Sequence, residues 1–434
     1  MANLRPTTKD TARPTISIPR RRACFGGEGR RELACPWLRR GQLRAARWAF
    51  VAASLLILPG CQGMRWGLGG AYGKKPVKAI WVTRWDYKSA ADIARVIDNC
   101  KSAGFNTVLF QVRGNGTAAY RSRIEPWAEE FGGRDPGFDP LGVACKEAHR
   151  RGMQLHAWVN MIPGWRGDKP PSDPRQLYNA HREWFWRDAS GRYQPLGWYV
   201  SVNPAYPEVR RYLVDVVHEV VSKYPIDGVH MDYIRFPNEW NESYPKGASV
   251  PDFPRDPRTL AMFKRVTGKS PEQAPAQWDG FRTATVTQVM RDVRKMMLKT
   301  KPRAALTTAV GASPEDARRK HFQDARQWIK EGLVDAVFPM NYAKDLGSYG
   351  QRLAEWTAMK PHVPVITGIM FDKRDGSTVR AQVGTARKAA GHFSAFAYNS
   401  LFERYDRQGR PAQDGQSPSR AALRRELIPY LRGI

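Results

Sequence analysis

The chain has 434 residues, 42% of them hydrophobic and 11% aromatic, which is ample for a sizeable core. Its net charge of +29 invites a nucleic-acid reading, but residues 1–75 alone hold 15 Lys/Arg against 3 Asp/Glu. The other +17 is scattered over helix faces such as Arg210 with Arg211 and Arg318 with Arg319 and Lys320, without the aromatic interleaving of an RNA-binding surface. No specific nucleic-acid partner is expected; a basic solvated face that tolerates anionic envelope polymers is the better reading.

The first 60 residues read as an Arg-rich leader. Residues 45–58 are apolar, follow Arg39, Arg40 and Arg44, and stop at Leu58-Pro59-Gly60-Cys61. A basic flank, a short apolar stretch and a small residue before Cys are the layout of a secretory signal, and the stretch is too short for a comfortable membrane span. The last four residues resemble the lipobox of bacterial lipoproteins, which implies a lipid anchor on Cys61 and an exported, envelope location. Pro59 departs from that pattern. A Gly-rich linker follows over 61–75. Of five Cys, only Cys100 and Cys145 then remain in the folded part, as a disulfide or as two buried thiols. No zinc-type spacing occurs, and neither a metal nor a cofactor is expected.

From residue 76 to the end, apolar runs alternate with amphipathic stretches. Strands are predicted at 77–83, 106–113, 154–160, 228–234, 304–310, 336–342, 365–371 and 393–399. Helices are predicted at 90–102, 141–151, 207–222, 281–300, 321–331, 348–359, 379–390 and 420–431. Eight strands each followed by a helix is the count of a TIM (β/α)8 barrel, an α/β fold occupying 76–434. No repeat of 20–50 residues supports a solenoid or propeller. Long non-periodic inserts follow strands two, three and four, on the side where such barrels carry their active sites, and they are rich in Trp and Tyr. The chain's 15 Trp suit a sugar cleft, where indoles stack on pyranose rings.

Residues 226–237, Ile-Asp-Gly-Val-His-Met-Asp-Tyr-Ile-Arg-Phe-Pro, are the most informative stretch. Alternation puts His230 and Asp232 on one face of the fourth strand, with Asp232 nearest its C-terminal end. Parity gives similar polar positions elsewhere: Gln111 and Arg113 on strand two, His156, Trp158 and Asn160 on strand three, Asn341 and Tyr342 at the end of strand six, Asn399 on strand eight. Amides and guanidinium groups gathered at strand ends are what sugar hydroxyls require. Glycoside cleavage generally uses two carboxyl groups. Asp232 is the candidate nucleophile or base, kept ionised by Arg113 or Arg235. The second acid is open among Asp86, Glu125, Glu239, Glu242 and Asp372, all after strands, and Glu125 and Asp372 are carried forward as catalytic candidates.

Several blocks carry a family likeness: Ala79-Ile80-Trp81-Val82-Thr83, Gln111-Val112-Arg113, Glu125-Pro126-Trp127, His156-Ala157-Trp158-Val159-Asn160, Asp227-Gly228-Val229-His230 and Asp232-Tyr233. In order and spacing they resemble the glycosyl hydrolase-like 10 family, once called domain of unknown function 187. That resemblance implies a TIM barrel, a glycan substrate and often a lipoprotein. Carried over by position, it implies a site of Arg113, His156, Asn160, His230, Asp232, Tyr233 and Asn341. Where many members have an acid after Gly116, this chain has Thr117, which draws attention to Glu125.

The expected function is therefore a secreted, lipid-anchored glycoside hydrolase acting on a polysaccharide, with peptidoglycan glycan strands or an exopolysaccharide as candidates. A non-catalytic glycan-binding lipoprotein is the alternative. A metal-dependent barrel hydrolase lacks a His-x-His on the first strand.

Overall fold

The computed structural model describes residues 75–236, 252–405 and 410–434. Its strands, in chain order, begin with β1 (Lys78–Val82), β2 (Thr107–Arg113) and β3 (Gln154–Asn160). Next come β4 (Pro163–Arg166) and β5 (Tyr199–Ser201), which pair antiparallel as a small hairpin inside the insert after β3. The remainder are β6 (Gly228–Asp232), β7 (Ala305–Val310), β8 (Ala336–Pro339), β9 (Gly368–Met370) and β10 (Phe393–Phe396).

Eight of these form one parallel sheet in the order β8-β7-β6-β3-β2-β1-β10-β9. Its ends meet ahead of β9, where the amide of Ile366 donates to the carbonyl of Val337 at 2.9 Å and the amide of Val337 to Pro364 at 3.1 Å. The result is a TIM barrel, as the count of elements predicts.

Helices α1 (Ala90–Ser102), α2 (Pro140–Arg150), α3 (Leu177–Ala180), α4 (Pro207–Lys223), α5 (Pro257–Thr267) and α6 (Pro275–Thr300) come first. They are followed by α7 (Pro314–His321), α8 (Ala325–Lys330), α9 (Leu346–Thr357), α10 (Gly376–Ala390), α11 (Tyr398–Leu401) and α12 (Ser417–Gly433). Local chemistry sets their starts. The Ser89 hydroxyl accepts from the Asp92 amide ahead of α1, and the Asp139 carboxylate accepts from Gly142 ahead of α2, where Pro140 takes the first helical position.

Two apolar layers result. Outward strand residues such as Val108, Phe110 and Val112 join the helices in a large outer core. Val77, Ala79, Trp81, Leu109, Trp158, Phe338 and Ile366 fill the barrel interior. Strands buried on both faces are mainly apolar, and β2, buried at every position, is apolar over residues 108–110 and turns polar only at Gln111 and Arg113 towards its C-terminal end.

Several predicted elements have other bounds, among them the strand predicted over 336–342, which stops at Pro339. The strand predicted through 234 stops at Asp232, because Tyr233 takes a left-handed backbone (φ 47°). The strand predicted through 399 stops at Phe396, and Asn399 falls in the short helix α11. The helix predicted over 321–331 begins only at Ala325, because α7, a helix the sequence reading does not include, ends at His321 and Phe322 turns left-handed (φ 53°).

Gly228 is required by close packing. It lies opposite His156 across the β3–β6 pair, and a methyl there would sit 2.6 Å from His156 Nδ1 and 2.8 Å from the Ala305 carbonyl oxygen. Gly228→Ala is expected to destabilise the fold by about 1–3 kcal/mol through overpacking. Urea unfolding should then show a lower midpoint at unchanged slope. Cys100 and Cys145 are both buried free thiols, and burial pushes the Cys145 thiol up to about 12, so neither is reactive near neutral pH.

Candidate active site

A cavity of about 590 Å³ opens at the C-terminal ends of the barrel strands. Trp81 and Trp158 lie at its base, with Thr83, Gln111, Asn160, Asp232, Arg235, Tyr342 and Phe396 among the groups around them. The inserts add Trp85, Arg166, Trp198 and Tyr199. Asp232 is the one carboxylate among the described residues that line the cavity.

The register places Asp232 beside Asn160 and His230 beside Trp158. At the strand end the left-handed turn at Tyr233 brings its own amide back onto Asp232 Oδ1 at 2.6 Å, a charge-assisted bond that holds the carboxylate. Tyr342 faces this group. Burial first, and then the charge of Asp232 and the Tyr233 phenol, push the Tyr342 hydroxyl well above its ordinary range, so it remains a neutral donor.

The amides form a tied network rather than a loose set. Asn160 Oδ1 accepts from Trp158 Nε1 at 3.0 Å and from Gln111 Nε2 at 3.4 Å, and Asn160 Nδ2 donates to the Gly114 carbonyl at 3.1 Å. Gln111 Oε1 accepts from the Arg84 amide at 3.1 Å. Trp158 is thereby held in one orientation at the cavity base.

Cations and rings interleave on the rim. The Arg84 guanidinium lies 4.0 Å from the Trp85 ring, and Arg166 lies 4.5 Å from the Trp198 ring and 5.4 Å from Trp85. Arg84 is buried, donating to Glu130 at 2.7 Å and to the Tyr199 hydroxyl at 3.2 Å, so it anchors the hairpin strand β5 to the end of β1. Flat rings with polar groups between them suit the alternating apolar faces and hydroxyl edges of a sugar chain.

Of the residues expected from sequence, Asp232, Trp158, Asn160, Tyr233, Arg235 and Tyr342 line this one cavity, together with Gln111. The others do not. Parity places Arg113 with Gln111 on the inner face, but the register shifts between them and Arg113 comes opposite Val159. Its guanidinium enters the wall, paired with Glu125 at 2.7 Å with both side chains fully buried. It also donates to the carbonyls of Asn160, Met161 and Pro163. Glu125 accepts in addition from the Tyr212 hydroxyl at 2.7 Å. Arg113 and Glu125 thus tie the strand ends together, a structural placement in contrast to the substrate-binding and catalytic roles expected of them.

His156 and His230 lie in the barrel interior beneath Trp81. The Trp81 indole can only donate, so His230 Nε2 accepts from it at 3.1 Å, and His230 Nδ1–H donates to Thr307 Oγ1 at 3.0 Å. Thr307 passes the chain on to the Val229 carbonyl at 3.2 Å. Burial pushes His230 well below its ordinary range, and burial lowers His156 to about 4. Both rings are neutral at pH 7 and packed, so neither reaches substrate.

A folded-state value below the unfolded one means that the unfolded chain binds more protons. His156's contribution is therefore complete above about pH 6.5 and is lost as pH falls towards 4. At about 1.4 kcal/mol per unit, His156 alone accounts for about 3 kcal/mol. Denaturant midpoints should fall steadily from pH 7 to pH 4, and replacing His156 with Gln should flatten that slope.

Asn341 donates to the Tyr349 carbonyl at 2.8 Å and braces α9, because the chain after β8 turns tightly and sends Met340 and Tyr342, but not Asn341, into the cavity. Asp372 and Asn399 line a separate polar pocket of about 380 Å³ with Asp414 and Arg420. Asp372 therefore does not face Asp232 across the cleft. Cys61, Glu239, Glu242, Trp240 and Tyr244 lie outside the described residues. Among the described residues, no three His, Cys, Asp or Glu side chains are grouped to hold a metal.

A family model described as glycosyl hydrolase-like 10 matches residues 76–380. The chain belongs to the glycosyl hydrolase-like 10 family. It is 30% identical to glycosyl hydrolase DigH of Escherichia coli K12 over 347 residues, covering 69% of this chain and 74% of that protein. It is 25% identical to glycosyl hydrolase YngK of Bacillus subtilis, covering 63% of this chain and 56% of YngK. Among solved structures, the PgaB (BpsB) glycoside hydrolase domain from Bordetella bronchiseptica superposes with a TM-score of 0.58 at 14% identity, over 81% of this chain and 99% of that one. The catalytic domain of a Paenibacillus polymyxa β-amylase gives 0.55 at 8% identity, over 82% and 98%. Both likenesses are of fold.

Within this glycosyl hydrolase-like barrel, the cavity also takes residues that strand parity does not reach. Trp81 and Phe396 are inward-facing apolar positions whose exposure at the mouth depends on where the strands stop. Thr83 and Trp85 follow the end of β1, and Arg166 ends β4 in the insert hairpin. His321 enters because α7 ends with it, just before the left-handed Phe322, which no periodic pattern marks.

Proposed function

We propose that this member of the glycosyl hydrolase-like 10 family is an exported glycoside hydrolase that cleaves a polysaccharide of the cell envelope, with Asp232 as its nucleophile or base. The observation that carries the reading is Asp232 at the C-terminal end of a central barrel strand, inside a cavity lined by Trp81, Trp85, Trp158, Trp198 and Tyr199. Peptidoglycan glycan strands and an exopolysaccharide are the candidate substrates, and the leader with Cys61 supports delivery to the envelope on a lipid anchor. Reducing-end release from a glycan panel that includes peptidoglycan stripped of its peptides tests the activity. Metabolic labelling with a radioactive fatty acid, lost in Cys61→Ala, tests the anchor.

A second reading keeps the cleft but not the chemistry, as a glycan-binding envelope protein. It is favoured by the presence of a single carboxylate among the described lining residues, where glycosidases generally use two. A folded protein that retains glycans on an affinity gel and releases no reducing ends would support it.

A further inference from the structure

In a parallel barrel the helices run against the strands, so their last turns gather at the end where the strands begin, opposite the cavity mouth. That end is crowded with cations. Lys75 and Lys78 lead into β1, Lys101 lies in the last turn of α1, Arg387 and Lys388 in that of α10, and Arg432 in that of α12. We propose that this face docks on an anionic phospholipid bilayer and holds the cavity mouth away from it.

These cations form one patch. Lys78 Nζ donates to the main-chain oxygens of Leu431 and Ile434 at 3.1 and 3.0 Å, and Arg432 Nε donates to the Ser102 carbonyl, so the end of α12 is tied to β1 and to the end of α1. Burial first, and then the charges of Arg387 and Lys101, hold the Lys78 ammonium below its ordinary range, as like charges set close together do. Lys75, Lys101, Lys388 and Arg432 are exposed. Among the described residues, Lys75, Lys101, Arg387, Lys388 and Arg432 have no carboxylate partner. Asp98, one turn before Lys101, is taken by Arg151.

The helix dipole favours a cation at the end of any helix, but it does not explain this patch. Elsewhere on the same end such cations are neutralised within their own helix, Arg150 of α2 by Glu147 at 2.6 Å and Lys223 of α4 by Glu219 at 2.5 Å. Lys75 and Lys78 lie on no helix at all. The opposite end carries the opposite sign, since the carboxylates of Asp139, Asp345 and Asp375 cap the starts of α2, α9 and α10 there. A negatively charged bilayer attracts one end of such a barrel and repels the other, which gives the docked molecule a direction. The chain path agrees. The linker over 61–75, which leads from the anchor proposed at Cys61, joins the barrel at this patch, so the tether and the cations serve one surface.

The test uses the compact unit Arg65–Ile434, which lacks Cys61 and so binds only through the barrel. Its probes are phosphatidylcholine vesicles with and without phosphatidylglycerol, sedimented at low salt. The wild type should bind only the vesicles that contain phosphatidylglycerol. Each cation close to an anionic bilayer is worth roughly fivefold in partitioning, so Lys101→Gln, Arg387→Gln and Lys388→Gln together should weaken binding by about 10²-fold. Lys169→Gln, Arg175→Gln and Arg192→Gln remove the same charge from the insert after β3, at the other end, and should leave binding near the wild-type value. Both triple variants should melt as the wild type does. Lys101→Gln alone, with a loss of roughly fivefold, carries the same reading if the first triple melts lower. Equal losses in the two triples overturn the proposal, because net charge and not one face would then bind. Undiminished binding by the first triple overturns it too, as does a wild type that ignores phosphatidylglycerol. Retention of the wild type on dextran sulfate without any vesicle binding would give the patch to a soluble polymer and overturn it likewise. None of these outcomes depends on turnover at Asp232, so the hydrolase reading stands or falls separately.

Discussion

Replacing Glu125 with Ala should destabilise the protein by about 3–5 kcal/mol, the range expected when one partner of a buried ion pair is removed. Glu125 and Arg113 are both fully buried and 2.7 Å apart, and Arg113 also spans the carbonyls of Asn160, Met161 and Pro163. Without Glu125 a guanidinium is left in the wall with no counter-charge. Its carbonyl partners do not neutralise it. Joint replacement, Arg113→Met with Glu125→Leu, should recover much of the loss, because no charge then remains buried. Chemical denaturation of the single and double variants checks both statements. Loss of turnover in Glu125→Gln at unchanged stability would contradict the structural placement and return Glu125 to catalysis.

The largest effect on activity is expected at Asp232. Asn is nearly isosteric, and its side-chain oxygen can keep the bond from the Tyr233 amide, so the fold should hold. What Asn cannot do is accept a proton from water or form a glycosyl ester. Turnover should drop by roughly 10³-fold or more, as when an acid–base or nucleophilic group is removed. Glycan affinity should survive, because Trp85, Trp158, Arg166 and Trp198 are untouched. A fall in affinity of similar size to the fall in rate would place Asp232 in binding rather than chemistry.

The barrel is legible in the sequence because parallel strands buried on both faces leave long apolar runs, and their helices carry a separable period. Asp232, Asn160 and Trp158 are legible by the same logic, as polar or bulky inward positions at strand ends. Parity fails where the backbone leaves the ideal strand. The register shift after Gln111 turns Arg113 into the wall, and the halt at Phe396 carries Asn399 into a helix beside a different pocket. His156 and His230 mislead for another reason. An inward polar residue reads as part of a site, whereas one level lower it is a packed side chain, His230 satisfied by Trp81 and Thr307. Which level a residue occupies depends on strand stagger, which no single strand records. Residues outside the strands, such as Trp85, Arg166 and His321, reach the cavity through turns whose direction is set by tertiary packing.

The most direct test is reducing-end release from a single glycan by the wild type and Asp232→Asn at equal concentration, peptide-free peptidoglycan strands being the first choice. Release by the wild type, lost in a variant that melts at the same temperature and still binds the strands, is the predicted result. Equal release by both proteins would contradict the account, since cleavage would then proceed without the carboxylate at the end of β6.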